Sequence, residues 1–168
     1  TGIKATIEEK DYERLIPKQR FTSPEWLDKE YKLLWPRVWQ WACREEEIPK
    51  VGDYFEYKIG DQSVVIVRDE DQSLKAYHNV CMHRGTRLVE GEHWWGGRGT
   101  TRNFRDMYKG KLRCVFHGWA WDLDGEISHL PGAKDFAPCR IQKCDIGLMP
   151  VRCESWEGFV YINMDMDA

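Results

Sequence analysis

Residues 114–119 read Cys-Val-Phe-His-Gly-Trp, and residues 81–85 read Cys-Met-His-Arg-Gly. Each stretch couples one cysteine to one histidine and closes on a glycine. The histidine follows by two residues in the earlier stretch and by three in the later one. Glycine reaches backbone angles that other residues avoid, so Gly85 and Gly118 let each loop fold tightly over a small object. Both stretches lie next to strand-forming segments, which places the loops at hairpin tips. Brought together, they present two sulfurs and two nitrogens to one place.

Two chemistries use that donor set. Tetrahedral zinc accepts two Cys and two His. A Rieske [2Fe–2S] cluster takes the same four, with both histidines on one iron. Zinc fingers usually separate a Cys pair from a His pair. Here each loop supplies one of each, and the interleaving favours iron and sulfide. Four unrelated residues are the bland alternative, against which the paired glycines argue.

Working outward, the surroundings of the loops read as strands. Tyr54–Ile59, Ser63–Arg68 and Leu74–Tyr77 are β-prone runs separated by turn signals at Gly60-Asp61 and Asp69–Gln72. Trp119–Ile127 contains an Asp-Gly hairpin signal, and Leu148–Val151 and Phe159–Asn163 flank a turn near Glu157-Gly158. Upstream, Ser23-Pro24-Glu25 is a helix start, with a capping Ser, a Pro at the first helical position and an acid at the positive end. Trp26, Leu27, Tyr31, Leu34 and Trp35 then share one side at helical spacing, and Pro36 ends the helix. Trp35, Trp39 and Trp41 are read as packing residues rather than a cofactor box. The expected architecture is a helical lead-in followed by a mainly β, antiparallel domain with no internal repeat.

The 168 residues suffice for one domain and a little more. Hydrophobic residues at 42% and charged residues at 32% are ordinary for a globular protein. A formal charge of −3 is too small to argue for nucleic acid or an acidic membrane face. No apolar run approaches the ~18 residues of a membrane span. The opening TGIKATIEEK has no apolar signal region, so the expected location is cytoplasmic. Of six cysteines, Cys43, Cys139, Cys144 and Cys153 lie outside the two loops and are read as buried or free thiols. His78, His93 and His129 lie outside the ligand pattern, with His78 near enough to influence it.

Asn79–Gly85 and Cys114–Trp119 closely resemble the Rieske motifs of ring-hydroxylating, non-haem iron oxygenases, in their large (α) subunits. The likeness extends to the Trp35–Trp41 lead-in, Ile48-Pro49 with Gly52-Asp53-Tyr54, the Leu123-Asp124-Gly125 turn and Trp156–Val160. The resemblance implies a small antiparallel Rieske domain over 43–168, with two cluster-binding hairpin loops, behind a helical segment over 1–42. It implies that Cys81 and Cys114 bind one iron and His83 and His117 the other. Two ferric ions, two sulfides and two thiolates sum to zero charge, so one-electron reduction leaves −1. Four thiolates would make both states more negative, which is why neutral imidazoles raise the potential.

The resemblance also implies a role: taking electrons from a ferredoxin or flavin reductase and passing them to the mononuclear iron of an oxygenase catalytic domain, in a neighbouring subunit, for aromatic hydrocarbon catabolism. That domain's facial triad of two His and a carboxylate is not found in this sequence, so the chain is not expected to be catalytically complete alone. A free-standing Rieske ferredoxin is the alternative, and a zinc-stabilised interaction module a weaker one. Two departures stand out. Thirty residues separate His83 from Cys114, about twice the family's usual interval, and the extra length falls within Glu92–Lys109. Its Arg102, Arg105 and Lys109, with Lys111 and Arg113 beyond, are read as a solvated basic face, with a docking surface for an acidic electron donor or a neighbouring subunit as the alternative. Respiratory Rieske motifs, in contrast, carry an extra Cys in each loop and a Ser after the second His-Gly. Here Phe116 and Trp119 stand at the second loop's two positions, which implies a potential near the low end of the range.

Overall fold

The structure is a computed structural model and describes residues 16–91, 96–100, 110–136 and 143–167. It opens with a short helix α1, Gln19–Thr22, and a longer α2, Pro24–Leu33. Ser23 caps α2 as the sequence predicts: its hydroxyl accepts from the Glu25 amide at 3.2 Å. The helix stops ahead of Pro36, in a 3-10 turn over Trp35–Arg37. Its apolar stripe enters no core, because no residue of either helix is buried. Trp26 sits between the Arg20 and Lys29 cations, each 4.8 Å from its ring centre. Tyr31 packs on the Gly60 turn, where an added Cβ would lie 2.8 Å from the ring. The tryptophans that follow are less interior than expected. Trp35 is half-buried, but Trp39 and Trp41 are exposed, held by Arg152 and Phe159 respectively.

Ten strands are described: β1 Gln40–Arg44, β2 Asp53–Ile59, β3 Gln62–Arg68, β4 Leu74–His78, β5 Gly96–Thr100, β6 Leu112–Arg113, β7 Ala120–Trp121, β8 Ile127–His129, β9 Pro150–Trp156 and β10 Phe159–Asn163. All their pairings are antiparallel. Seven form one sheet in the order β1-β10-β9-β4-β3-β2-β5, and β6-β7-β8 form a small second sheet. The three strands expected between residues 54 and 77 appear as β2, β3 and β4, shifted by no more than a residue at either end. The turn between β9 and β10 has positive φ at both Glu157 (50°) and Gly158 (78°), the twist that a tight hairpin needs. A single-turn helix α3, Ala133–Phe136, follows β8. No helix among the described residues is long and apolar enough to cross a membrane.

Alternation along β3 divides the interior in two. Val65 and Val67 face a core shared with Tyr77, Leu112, Trp121 and both loop cysteines, Cys81 and Cys114. Val64 and Ile66 face a second core with Cys43, Phe55, Val160 and Ile162. That second core joins strands from both ends of the seven-strand order, so the large sheet curls on itself. The first core lies between the curled sheet and the small one. Tyr77 fastens them: its hydroxyl donates to the Leu123 carbonyl at 2.9 Å, and its ring lies against Gly125, φ +88°, where a Cβ would come within 2.5 Å. Cys43 is buried and Cys153 half-buried, and burial pushes each thiol up to about 12. They stand on strands either side of β10, about 10 Å apart, too far to bridge. Cys144 is exposed, and Cys139 lies outside the described residues.

A buried polar network holds the segment that carries the first loop. Glu56, on β2, is wholly buried. One carboxylate oxygen accepts from Ser63 Oγ at 2.7 Å and Asn79 Nδ2 at 3.2 Å; the other accepts from the Gly91 amide and pairs with Lys58 Nζ at 3.1 Å. Asn79 also donates to the Val89 carbonyl at 2.8 Å, and its Oδ1 accepts from the Leu88 and Val89 amides at 3.0 and 3.1 Å. Residues 79 and 88–91 are thereby tied together, and the intervening loop is closed at its base. Burial pushes the Glu56 carboxyl up, but the Gly91 amide, Ser63 and Lys58 together hold it below its ordinary 4.5.

Two outcomes are expected. The folded value of Glu56 is depressed, so the stability it supplies is complete above pH 4.5 and lost as pH falls through the lower folded value. Denaturant unfolding across an acid pH series should steepen in the wild type and flatten in Glu56→Gln, which should also be weaker by about 1–3 kcal/mol near neutrality; parallel pH curves would refute the assignment. Gly125→Ala should cost about 2–4 kcal/mol in the same assay, through positive-φ strain and collision with Tyr77.

Candidate metal centre

The two loops share one backbone design. In the first, the Cys81 amide donates to the Thr86 carbonyl at 2.7 Å, and the Gly85 amide donates to the Cys81 carbonyl at 2.9 Å. In the second, the Cys114 amide donates to the Trp119 carbonyl at 2.8 Å, and the Gly118 amide donates to the Cys114 carbonyl at 3.0 Å. Each loop is a six-residue clasp with cysteine first and glycine fifth, the glycines at φ +73° and +77°. A residue with a Cβ would be strained there. The histidine stands third in one clasp and fourth in the other. The unequal Cys–His spacing is thus a change of exit point on equal loops, not a change of loop length.

The clasps meet. Cys81 and Cys114 are 3% and 1% exposed, and the Cys114 sulfur is near enough to push the Cys81 pKa up. The histidines lie further out: His83 is half-buried and His117 exposed, with ring centres 4.7 Å apart and planes at 67°. Each imidazole has an aromatic neighbour. Trp119, itself buried, stacks on His83 at 4.8 Å and 8°, and Phe116, exposed, tilts over His117 at 4.1 Å. Trp119 thus covers one face of the His83 ring. Sulfur donors are therefore inside and nitrogen donors outside.

The electrostatics suit ligation. Burial raises the Cys81 thiol, the His83 amide opposes the rise, and the Cys114 sulfur adds to it. A cation would reverse that balance and hold both as thiolates. Burial, then the nearby His117 and Arg84, keep the His83 pKa below its ordinary value, so the ring is neutral and has a lone pair to offer. His83 Nδ1 is closed to water and has no hydrogen-bond partner, a costly state for a polar atom unless it serves as a ligand. Among the described residues, no three His, Cys, Asp or Glu side chains converge on a point suited to a single ion. Each clasp also couples one Cys to one His, unlike the separate Cys and His pairs of zinc fingers. Two thiols below and two imidazoles above suit a group with two metals instead, and the residues present fit a [2Fe–2S] cluster.

Other sequence candidates fall elsewhere. His78 ends β4, half-buried, with its pKa lowered by burial; His129 is exposed at the end of β8; His93 lies outside the described residues. Arg84 is exposed beside His83. The basic face dissolves in part: Lys111 pairs with Asp122, and Arg113 folds against Gly118. Arg102, Arg105 and Lys109 lie outside the described residues, while Gly96–Thr100 is no loop but the edge strand β5, paired to β2. Glu56 and the anchoring role of Asn79 were missed. The available signal was a lone carboxylate in Tyr54–Ile59, but apart from Lys58 its partners come from 7 to 35 residues away.

Comparison with known proteins agrees with this geometry. Residues 38–145 match the Rieske [2Fe–2S] domain. The oxygenase subunit of Escherichia coli (strain K12) carnitine monooxygenase is 33% identical over 153 residues, 91% of this chain and 37% of that protein. The large oxygenase component of the Pseudomonas putida naphthalene 1,2-dioxygenase system is 34% identical over 145 residues, 86% of this chain and 29% of that protein. Among solved structures, the apo form of the quaternary ammonium Rieske monooxygenase CntA has a TM-score of 0.76 at 28% identity, covering 92% of this chain and 40% of its own. Naphthalene 1,2-dioxygenase from Rhodococcus sp. has a TM-score of 0.77 at 26% identity, covering 94% and 33%. The chain spans between 29% and 40% of the length of these relatives. With its paired clasps, its curled antiparallel sheet and this match, the chain belongs to the Rieske [2Fe–2S] domain family, in the form carried by oxygenase large subunits.

Proposed function

We propose that Cys81 and Cys114 hold one iron of the cluster and His83 and His117 the other, and that the domain relays electrons to an oxygenase's mononuclear iron. When bound, the [2Fe–2S] group supplies a one-electron carrier. The observation that carries this reading is the layering of the donors, thiols inside and imidazoles outside. Cys81 and Cys114 sit in the dry core and supply the negative charge that fixes the inner iron. His83 and His117 stand at the tip and would hold the outer iron as neutral ligands, so an electron on that side would leave there. Trp119 keeps water from the His83 ring, and Phe116 and Val115 give the tip an apolar surface that a partner can cover.

The donor is a ferredoxin or flavin reductase, and the acceptor is an oxygenase catalytic domain, in a neighbouring subunit. The large-subunit nature of the relatives supports this over a free-standing ferredoxin. The same reading divides the chain into a lead-in over 1–42 and a Rieske domain over 43–168, with β1 straddling the boundary.

Purified protein should be red-brown, with two irons and two acid-labile sulfides per chain. Colourless protein with one zinc per chain would refute the reading. Trp119 stands where a Ser hydroxyl would donate to cluster sulfur, and Phe116 where the extra Cys would be, so film voltammetry should place the midpoint towards the low end of the Rieske range, ~−150 mV; a strongly positive value near neutral pH would contradict the oxygenase assignment.

A further inference from the structure

Arg113 is the last residue of β6, paired with Ala120 on β7, and so stands at the base of the second clasp. Its side chain turns back along that clasp. Nη2 and Nε lie 3.5 and 4.0 Å from where a Cβ on Gly118 would be, with Pro131 on the same spot at 3.6 Å. Nε is closed to water. The missing side chain at Gly118 thus does more than permit a positive φ: it lets a guanidinium lie directly against the loop that carries Cys114 and His117. Arginine stays charged at any working pH. Lys111, two residues earlier, pairs with Asp122. The first clasp has a counterpart in Arg84, close enough to His83 to lower its pKa, but that side chain is exposed.

We infer that Arg113 is a potential-setting residue: its guanidinium, seated against Gly118, stabilises the negative charge that the site gains on reduction. This rests on the proposed ligation by Cys81, His83, Cys114 and His117. Reduction adds one electron and no bond changes, so a fixed positive charge nearby favours the reduced state in proportion to its proximity and its shielding from water. Arg84 acts in the same sense from solvent, where salt screens it; Arg113 is half-buried with Nε closed to water, so salt screens it less.

Film voltammetry of the cluster-loaded chain at low and at about 1 M salt tests this. Arg113→Gln should lower the midpoint by an amount equal to a threefold to tenfold change in the reduction equilibrium, about 30–60 mV for one electron, at both salt levels. Arg113→Lys should restore most of the wild-type value, since it keeps the charge. Arg84→Gln should lower the midpoint only at low salt. Arg113→Met gives the same reading should the Gln variant fail to load. A wild-type midpoint in Arg113→Gln or Arg113→Met, or a Lys variant shifted as far as the Gln variant, would overturn the inference while the ligation stands. Absence of any one-electron wave and of cluster absorption in the wild type would overturn the ligation itself.

Discussion

Everything at the tip of this protein depends on a backbone clasp made twice. A cysteine amide bonds to the carbonyl five residues on, and a glycine amide bonds back to that cysteine's carbonyl. Only a residue free to take positive φ fits the fifth place, so glycine fixes the clasp's shape. The cysteine, in the first place, points into the core, and the third and fourth places point out. Two such clasps set against each other sort donors by depth. Thiolates, which need a cation to be tolerated in a dry interior, are inside; neutral imidazoles, which tolerate either environment, are at the rim. The chemical asymmetry of the site is thus a result of burial acting on equal loops.

Equal loops still need holding in opposition, and two different devices do it. The second clasp closes a short hairpin whose far end, at Gly125, is seated on Tyr77 of the large sheet. The first has no hairpin partner of its own, since the chain after Cys81 runs across to β5. It is closed instead by Glu56 and Asn79, whose polar atoms take the place of strand pairing. A buried carboxylate is costly unless fully satisfied, and here it has four partners. The long interval between the motifs is accommodated at the same point, because Gly91 is held by Glu56 and β5 pairs along Glu56's own strand.

Much of this was legible in the sequence. The two motifs picked out the four side chains that the fold brings together, β-prone runs between turn signals gave β2, β3 and β4 almost to the residue, and Ser23-Pro24 gave the start of α2. What was not legible arose from contacts distant in sequence. The tryptophans of the lead-in look like core residues, yet Trp39 and Trp41 are exposed, covered only in part by Arg152 and Phe159. Lys111 and Arg113 look like members of a basic run, but the β6–β7 register sets one against Asp122 and the other against Gly118. Glu56 sits amid apolar neighbours, and only Ser63, Asn79 and Gly91, brought in by the fold, explain it.

The central claim is that two histidines, leaving matched clasps at different places, share one iron while two cysteines share the other. Pulsed EPR of the reduced protein, grown with 15N-labelled histidine, tests it most directly. Two distinct, strongly coupled 15N nuclei are expected, one from His83 and one from His117, with one coupling lost in a variant of either. A reduced cluster that couples to no histidine nitrogen, or whose couplings survive both substitutions, would contradict the account.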